Sequence, residues 1–229
     1  SGRLGRYLTD HVMTGIGGRL AGHGAAEPAR SADPYDFGTA TGFLIPRDGY
    51  GIQGGIGRDG PSWYMLAHGR MLARADNRVT LHPSATDAHG APLAHVACTH
   101  SPAETAMAAT QLDTMHGLAA AAGLSVSTPP SGRPLDTLAF RLARRRLLTR
   151  SGAFLPGSAA HEIGGAGMGH DPADSVTDPW GRVWDADNVV VADGAAFPAG
   201  CWRNVSLTIM AVAARAARNA ATEHRAGRL

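Results

Sequence analysis

Lysine is absent: all 21 basic side chains of the 229-residue chain are arginine. That removes imine chemistry on a lysine amine and nucleotide binding through a phosphate-loop lysine. Long apolar runs are missing too. No stretch reaches the roughly 18 consecutive apolar residues of a membrane span. Ser1–Thr9 is polar and basic with no apolar core behind it, so no signal peptide is visible. Cysteine is scarce. Cys98 and Cys201 stand far apart, with neither a C-x-x-C pair nor zinc-ligand spacing, which predicts reduced thiols in a cytoplasmic protein. Charge is close to balance, at +2 net with 17% charged residues. The basic cluster Arg144–Arg145–Arg146 falls in a segment from Pro134 to Arg150 that reads as a helix through Leu138, Leu142 and Leu147. No aromatic residues interleave with it, so it reads as a solvated face or a partner contact. Nucleic acid and membrane are both set aside as partners.

What is present points to a globular chain, with 44% hydrophobic residues and many turns, given 30 Gly and 14 Pro. Phe37–Ile45 and Tyr50–Gly57 flank the turn Pro46–Arg47–Asp48–Gly49, a hairpin signal. Val79–Leu81 and Ala94–Cys98 predict a second strand pair. Ser101-Pro102-Ala103-Glu104 is a capping box with proline at the first helical position, and the helix it opens stops at Gly123. Together these predict an antiparallel sheet covered by helices over roughly residues 30–150. The last third changes character. Asn188–Ala192 is a wholly apolar-centred run before Asp193–Gly194 and reads as a strand buried on both faces. Ser206–Glu223 reads as an Ala-rich helix whose apolar side carries Ile209, Met210, Val212 and Ala213. Strand, loop and helix in that order place ligands beyond the strand's carboxyl end, which makes Asp193–Asn204 a candidate site.

The densest motif is His161-Glu162-Ile163-Gly164-Gly165-Ala166-Gly167-Met168-Gly169-His170-Asp171-Pro172. Its glycines rule out a stable helix or strand and predict a close-packed loop. His161-Glu162 opens an H-E-x-x-H pattern, but position 165 is glycine, so a zinc ligand is missing. A phosphate cradle would need a preceding strand and G-x-G-x-x-G spacing, and neither is present. A histidine held on a rigid turn beside a flat ligand and a purely structural loop histidine both remain. Downstream, Asn204 stands at the threshold of the final helix, where asparagine is an ordinary N-cap.

The pattern H-x-x-G-G-x-x-M-G-x-D-P from His161, then Ser175–Asp178, Asn188–Pro198 and Asn204-x-x-x-Thr208, resembles the carboxy-terminal signature of the glucose–methanol–choline (GMC) oxidoreductases. Gly5-Arg6-Tyr7-Leu8-Thr9-Asp10-His11 is similar to the family's G-R-x-L-x-D-H segment. Arg74–Leu81 with Asp87–Gly90 is similar to its substrate-domain hairpin. The flavour is that of pyranose oxidases, fructose dehydrogenases and C-glycoside oxidases. The resemblance implies an α/β fold with an α+β substrate region: an antiparallel sheet with helices, plus a carboxy-terminal strand and helix that complete a Rossmann-like FAD domain. It implies residues 1–29 as a segment of FAD-domain or linker type, 30–155 as substrate-binding domain and 156–229 as the end of the FAD domain. By the same resemblance His161 is the general base in alcohol oxidation and Asn204 its hydrogen-bonding companion. Asp193 and Gly194 lie along the flavin's ribityl–pyrophosphate portion, and Asn204, Val205 and Ser206 form the helix N-terminus facing the isoalloxazine. The family's opening G-x-G-x-x-G has no counterpart; Gly54–Gly57 comes nearest and lacks the spacing. The expectation is therefore a subunit of a heteromeric FAD enzyme acting on a sugar or glycoside alcohol. Its partner would be a second polypeptide carrying the dinucleotide-binding half. The alternative is a non-catalytic scaffold of the same fold.

Overall fold

Helix α1 (Pro102–Ala121) forms as its sequence dictates. The Ser101 hydroxyl accepts from the Glu104 N–H, and the Glu104 carboxylate accepts from the Ser101 N–H at 2.5 Å, closing the capping box with Pro102 at the start. Gly123, just past the end, takes φ +67°, the left-handed conformation that terminates a helix. The computed structural model describes residues 1–20, 39–57, 62–127 and 148–228. The expected helix over Pro134–Arg150, with its arginine triplet, lies outside the described residues up to position 147; Leu148 bridges to Phe154 and a turn follows it.

The strands are β1 (His11–Arg19), β2 (Thr39–Pro46), β3 (Tyr50–Gly57), β4 (Ser62–Arg70), β5 (Arg78–Thr86), β6 (Pro92–Ala97), β7 (Ser125–Ser127), β8 (Arg182–Val183) and β9 (Ala186–Val190). The second helix, α2, runs from Ser206 to Arg225. Five strands make one sheet in the order β2-β3-β4-β1-β7, with β5-β6 and β8-β9 as separate two-stranded ribbons. Both expected hairpins are present and antiparallel. The architecture is thus mixed, with antiparallel sheets and few helices.

The described residues cluster into two units whose segments alternate along the chain. One holds residues 1–11, 70–100 and 159–229, the other 12–69 and 101–158. In the second unit the sheet and α1 share a core of Ile16, Ile52, Trp63, Met65, Ala67, Met115 and Ala119. Trp63, Met65 and Ala67 are alternate residues of β4, so the pleat sends all three to one face. Helix α1 buries Glu104, Ala108, Gln111, Met115 and Ala119, one face at helical spacing. Two of those five are polar. Gln111 is fully buried; its amide donates to the Val12 carbonyl at 3.0 Å, and its oxygen accepts from the Thr14 hydroxyl at 2.9 Å. A side chain on Gly69 would overlap Met107 and Gln111, which is how closely helix and sheet approach.

One expectation is corrected. The Asn188–Ala192 run is not buried on both faces. Strand β9 ends at Val190, pairs antiparallel with β8, and leaves Val189 44% exposed. An apolar strand is covered only where other elements flank it, and β8 is its one strand neighbour among the described residues. Helix α2 likewise buries only Ala216 and leaves Leu207 and Met210 largely exposed.

The buried amide yields a stability test. Gln111→Leu strands the Thr14 hydroxyl and the Val12 carbonyl in a dry core, at about 1–3 kcal/mol for each group left unpaired. Ser101→Ala loses one cap, worth about 1 kcal/mol. Chemical denaturation of the full chain is expected to show the leucine variant as the less stable of the two.

Candidate active site

The glycine-rich segment is a ribbon bonded along both edges. On one edge Thr9 and Ile163 exchange N–H···O bonds, each 2.9 Å, and Gly5 N–H donates to the Gly165 carbonyl at 2.6 Å. On the other, Gly164 N–H donates to Gly194 at 3.0 Å, Ala166 to Ala195 at 2.9 Å and Met168 to Ala196 at 2.7 Å. A backbone satisfied on both sides behaves as an inner strand, although its composition forbids an ordinary one. Glycine is required at Gly164, where φ is +90° and a Cβ would run into the Tyr7 carbonyl. The 5–9 segment is itself stitched to the strand beyond it: Leu8 N–H donates to Asn77 at 2.9 Å and Val79 N–H to Gly5 at 2.7 Å. Motifs scattered over the sequence therefore meet in one unit.

His161 precedes Ile163 by two residues and His11 follows Thr9 by two. In an antiparallel pair that places both rings opposite one another on one face. Their centroids lie 5.1 Å apart with planes at 83°, edge to face. His11 is 3% exposed, and His161 is half-buried. The His161 Nδ1 is buried and has no hydrogen-bond partner among the described residues, and the same holds for the Thr9 hydroxyl. Asp10, also buried, accepts from the Ala159 N–H at 3.4 Å.

Asp193 stands at the head of a short 3-10 turn, Gly194–Ala196, and its carboxylate accepts from the Ala195 N–H at 2.8 Å. Gly194 is buried; a Cβ there would sit 3.1 Å from the Glu162 oxygen and 3.2 Å from Ile209 of α2. The Gly200 backbone approaches the same ribbon, and a Cβ there would lie 3.2 Å from the Thr9 hydroxyl and 3.3 Å from Ile163. His161 and the Asp193–Gly194 turn are thus brought together through the ribbon's backbone.

Asn204 is placed differently from the sequence reading. It is exposed, and the N-cap of α2 is Val205, 4% exposed, with no side chain capping the first turn. Burial of Val205 decides where the helix starts, and that leaves the Asn204 amide outside it. No hydrogen bond joins Asn204 to His161 among the described residues. The first N–H groups of α2, beginning at the exposed Ser206, are consequently open to an external acceptor. His170, in the same ribbon as His161, is exposed.

The residues that sequence reasoning missed are Thr9, Asp10 and His11. Their only signal was the intact Gly5–His11 motif, since nothing in a linear sequence pairs residue 11 with residue 161. Beside the ribbon, Arg3, Arg6, Tyr7, Gly165 and Phe197 help line a cavity of about 30 Å³. Among the described residues no group of three His, Cys, Asp or Glu is placed to hold a metal ion, and no helix is long and apolar enough to cross a membrane. At the end of α2, a hydrogen bond from Arg228 holds the half-buried Glu223 carboxyl below its ordinary range.

The ribbon's glycines carry their own test. Gly164→Ala meets both an unfavourable φ of +90° and the Tyr7 carbonyl, whereas Gly90→Ala at +82° meets open space. The shared backbone cost is about 1–2 kcal/mol. Thermal unfolding is expected to show the larger loss for Gly164→Ala; equal losses would mean the ribbon yields at Tyr7.

Residues 73–213 match the GMC oxidoreductase carboxy-terminal family model. The chain is 42% identical over 109 residues to the 6'''-hydroxyparomomycin C oxidase of Streptomyces lividus, a match covering 43% of this chain and 20% of that protein. It is 27% identical to the 2-methyl-1,2-propanediol dehydrogenase of Mycolicibacterium austroafricanum, over 94% of this chain and 41% of that one. It is 47% identical over 57 residues to the fructose dehydrogenase large subunit of Gluconobacter japonicus, covering 25% of this chain and 10% of that protein. The fold is similar to the crystal structure of pyridoxine 4-oxidase from Mesorbium loti, with a TM-score of 0.59 at 18% identity, covering 97% of this chain and 44% of that chain. The chain therefore spans less than half the length of these relatives. With most of its residues matched by the family model and its motifs folded into one clamped site, the chain belongs to the GMC oxidoreductase family.

Proposed function

We propose that this chain supplies the catalytic histidine and part of the flavin site of an FAD-dependent enzyme that oxidises an alcohol, on a sugar or glycoside, to a carbonyl. The observation that carries the reading is His161 itself. It stands two residues before a ribbon clamped along both edges and bonded on its far edge to the Gly194–Ala196 turn, and its Nδ1 is buried. The relatives are by name an oxidase of a hydroxylated compound, a diol dehydrogenase and a fructose dehydrogenase, which supports alcohol oxidation.

The residues present fit FAD. The uncapped first turn of α2, at Val205 and Ser206, offers backbone donors and the positive end of a helix dipole to an electron-rich carbonyl edge. The Asp193 carboxylate is occupied in capping its own turn, so Asp193 and Gly194 would hold the cofactor through backbone. FAD, when bound, supplies the hydride acceptor. The chain's own task is the proton. Because Nδ1 is buried, Nε2 is the nitrogen that takes the substrate hydroxyl proton. Asn204, exposed and outside the helix, would hold the same hydroxyl by hydrogen bonding while staying neutral.

In this proposal a second polypeptide contributes the dinucleotide-binding half. Support comes from a relative that is by name the large subunit of a fructose dehydrogenase and from the exposed Leu207 and Met210 on α2. Cys98 and Cys201 are not joined in a disulfide, which supports a cytoplasmic setting. The rival reading, a silent scaffold, requires neither His161 nor an open helix N-terminus.

In the flavin-loaded assembly, His161→Ala is expected to slow reduction of the flavin by alcohol about 10²–10⁴-fold, the usual worth of a general base. Stopped-flow rates normalised to bound flavin check this; unchanged rates per flavin would favour the scaffold. Asn204→Ala is expected to cost less, about 1–3 kcal/mol of barrier. The exposed His170→Ala is expected to leave reduction unchanged. Should His170→Ala abolish reduction while His161→Ala does not, the base is the other histidine.

A further inference from the structure

Three consecutive residues, Thr9, Asp10 and His11, grip three alternate positions of the ribbon's approach. The Thr9 backbone exchanges both bonds with Ile163, at 2.9 Å each. Asp10, whose side chain points to the other face of an extended strand, reaches the Ala159 N–H at 3.4 Å. His11, back on the Thr9 face, meets the ring of His161. The backbone is therefore fixed two residues before His161 and two residues after it, and the ring between those anchors lies against one side chain.

That contact lies beside a second feature of the His161 ring. A histidine acting as base through Nε2 must carry its proton on Nδ1, and in enzyme sites that N–H is usually directed at an oxygen. Here Nδ1 is buried with no hydrogen-bond partner among the described residues. A buried donor without an acceptor costs free energy unless something electron-rich faces it. The neighbour is the His11 ring, its centroid at 5.1 Å and its plane at 83°, the edge-to-face arrangement in which the positive edge of one ring meets the negative face of another. His11 is itself 3% exposed, so it can hold that pose without competition from solvent.

We infer that His11 is a positioning residue for His161: its buried ring holds the plane of the His161 imidazole and favours the tautomer with the proton on Nδ1, leaving Nε2 free toward substrate. The inference rests on His161 being the base, and it concerns a residue that is itself buried. Packing by an aromatic face is the operative property. Phenylalanine at position 11 therefore retains it and alanine loses it.

The test uses the flavin-loaded assembly with this chain labelled at histidine. The 15N shifts of His161, assigned by their loss in His161→Asn, read the tautomer directly and do not depend on turnover. In the parent and in His11→Phe, Nδ1 and Nε2 are expected to show the well-separated pair of a single Nδ1–H tautomer. In His11→Ala they are expected to move toward each other as both tautomers become populated. In parallel, His11→Ala is expected to lower the limiting rate of flavin reduction on the order of tenfold with little change in KM, because lost geometry costs less than a lost base. His11→Phe restores it. A His11→Ala protein with parent-like shifts and rate overturns the inference. So does a His11→Phe protein as displaced as the alanine variant, since the face would then not be what matters. If instead the shifts move as expected while His161→Ala leaves flavin reduction intact, the ring contact stands and the assignment of the base falls.

Discussion

The reciprocal pair of backbone bonds between Thr9 and Ile163 is the constraint on which the site depends. Without it the glycine-rich ribbon has no reason to hold one conformation, since glycine loses more backbone freedom on folding than any other residue. With it, the bonds to Gly194, Ala195 and Ala196 on the far edge can form in register. The ribbon then serves as a spine to which the amino-terminal motif, the β5 edge and the Asp193 turn are all attached. Close backbone approach is what the glycines provide. Gly164 lies against Tyr7, Gly194 against Glu162 and Ile163, and Gly200 against Thr9.

This construction divides labour between two kinds of packing. The five-stranded sheet and α1 are held by an apolar core with one buried amide, Gln111, tying helix to strand. The ribbon unit is held mostly by backbone hydrogen bonds and small residues, with Ile163, Ala166, Val176 and Ala196 as its buried apolar contacts. Backbone bonds are directional in a way that apolar contacts are not. The ribbon that follows His161 is held by the directional kind.

Local rules made the helix caps and hairpins legible from sequence. Ser101 and Glu104 announce the start of α1, and Pro46–Gly49 announces the β2–β3 turn, because each depends on residues only a few positions apart. The same locality misleads where burial intervenes. Asn204 has the chemistry of an N-cap, yet Val205 holds the position because its side chain is packed and Asn204's is not. The apolar run at Val189–Val190 has the composition of a buried strand, yet it lies half-open in a two-stranded ribbon, since composition states what a strand can bury and never what is there to bury it. Helix α1 inverts the case. Its buried face carries glutamate and glutamine, so polarity alone conceals which side faces the sheet.

By itself, the sequence determined the family and the residue types of the site: His161 on a glycine-rich loop, Asp193–Gly194 before a turn, and a helix opening after Asn204. These are contiguous patterns, and contiguity is what a motif records. Only the tertiary structure decided that His11 faces His161 at 5.1 Å, that Thr9 and Asp10 anchor the ribbon on either side of it, and that residues 70–100 cluster with the two ends of the chain. Those relations join segments separated by most of the chain's length. They exist because an antiparallel pair sets residues face to face by register, which is a property of the folded backbone and has no counterpart in the order of residues.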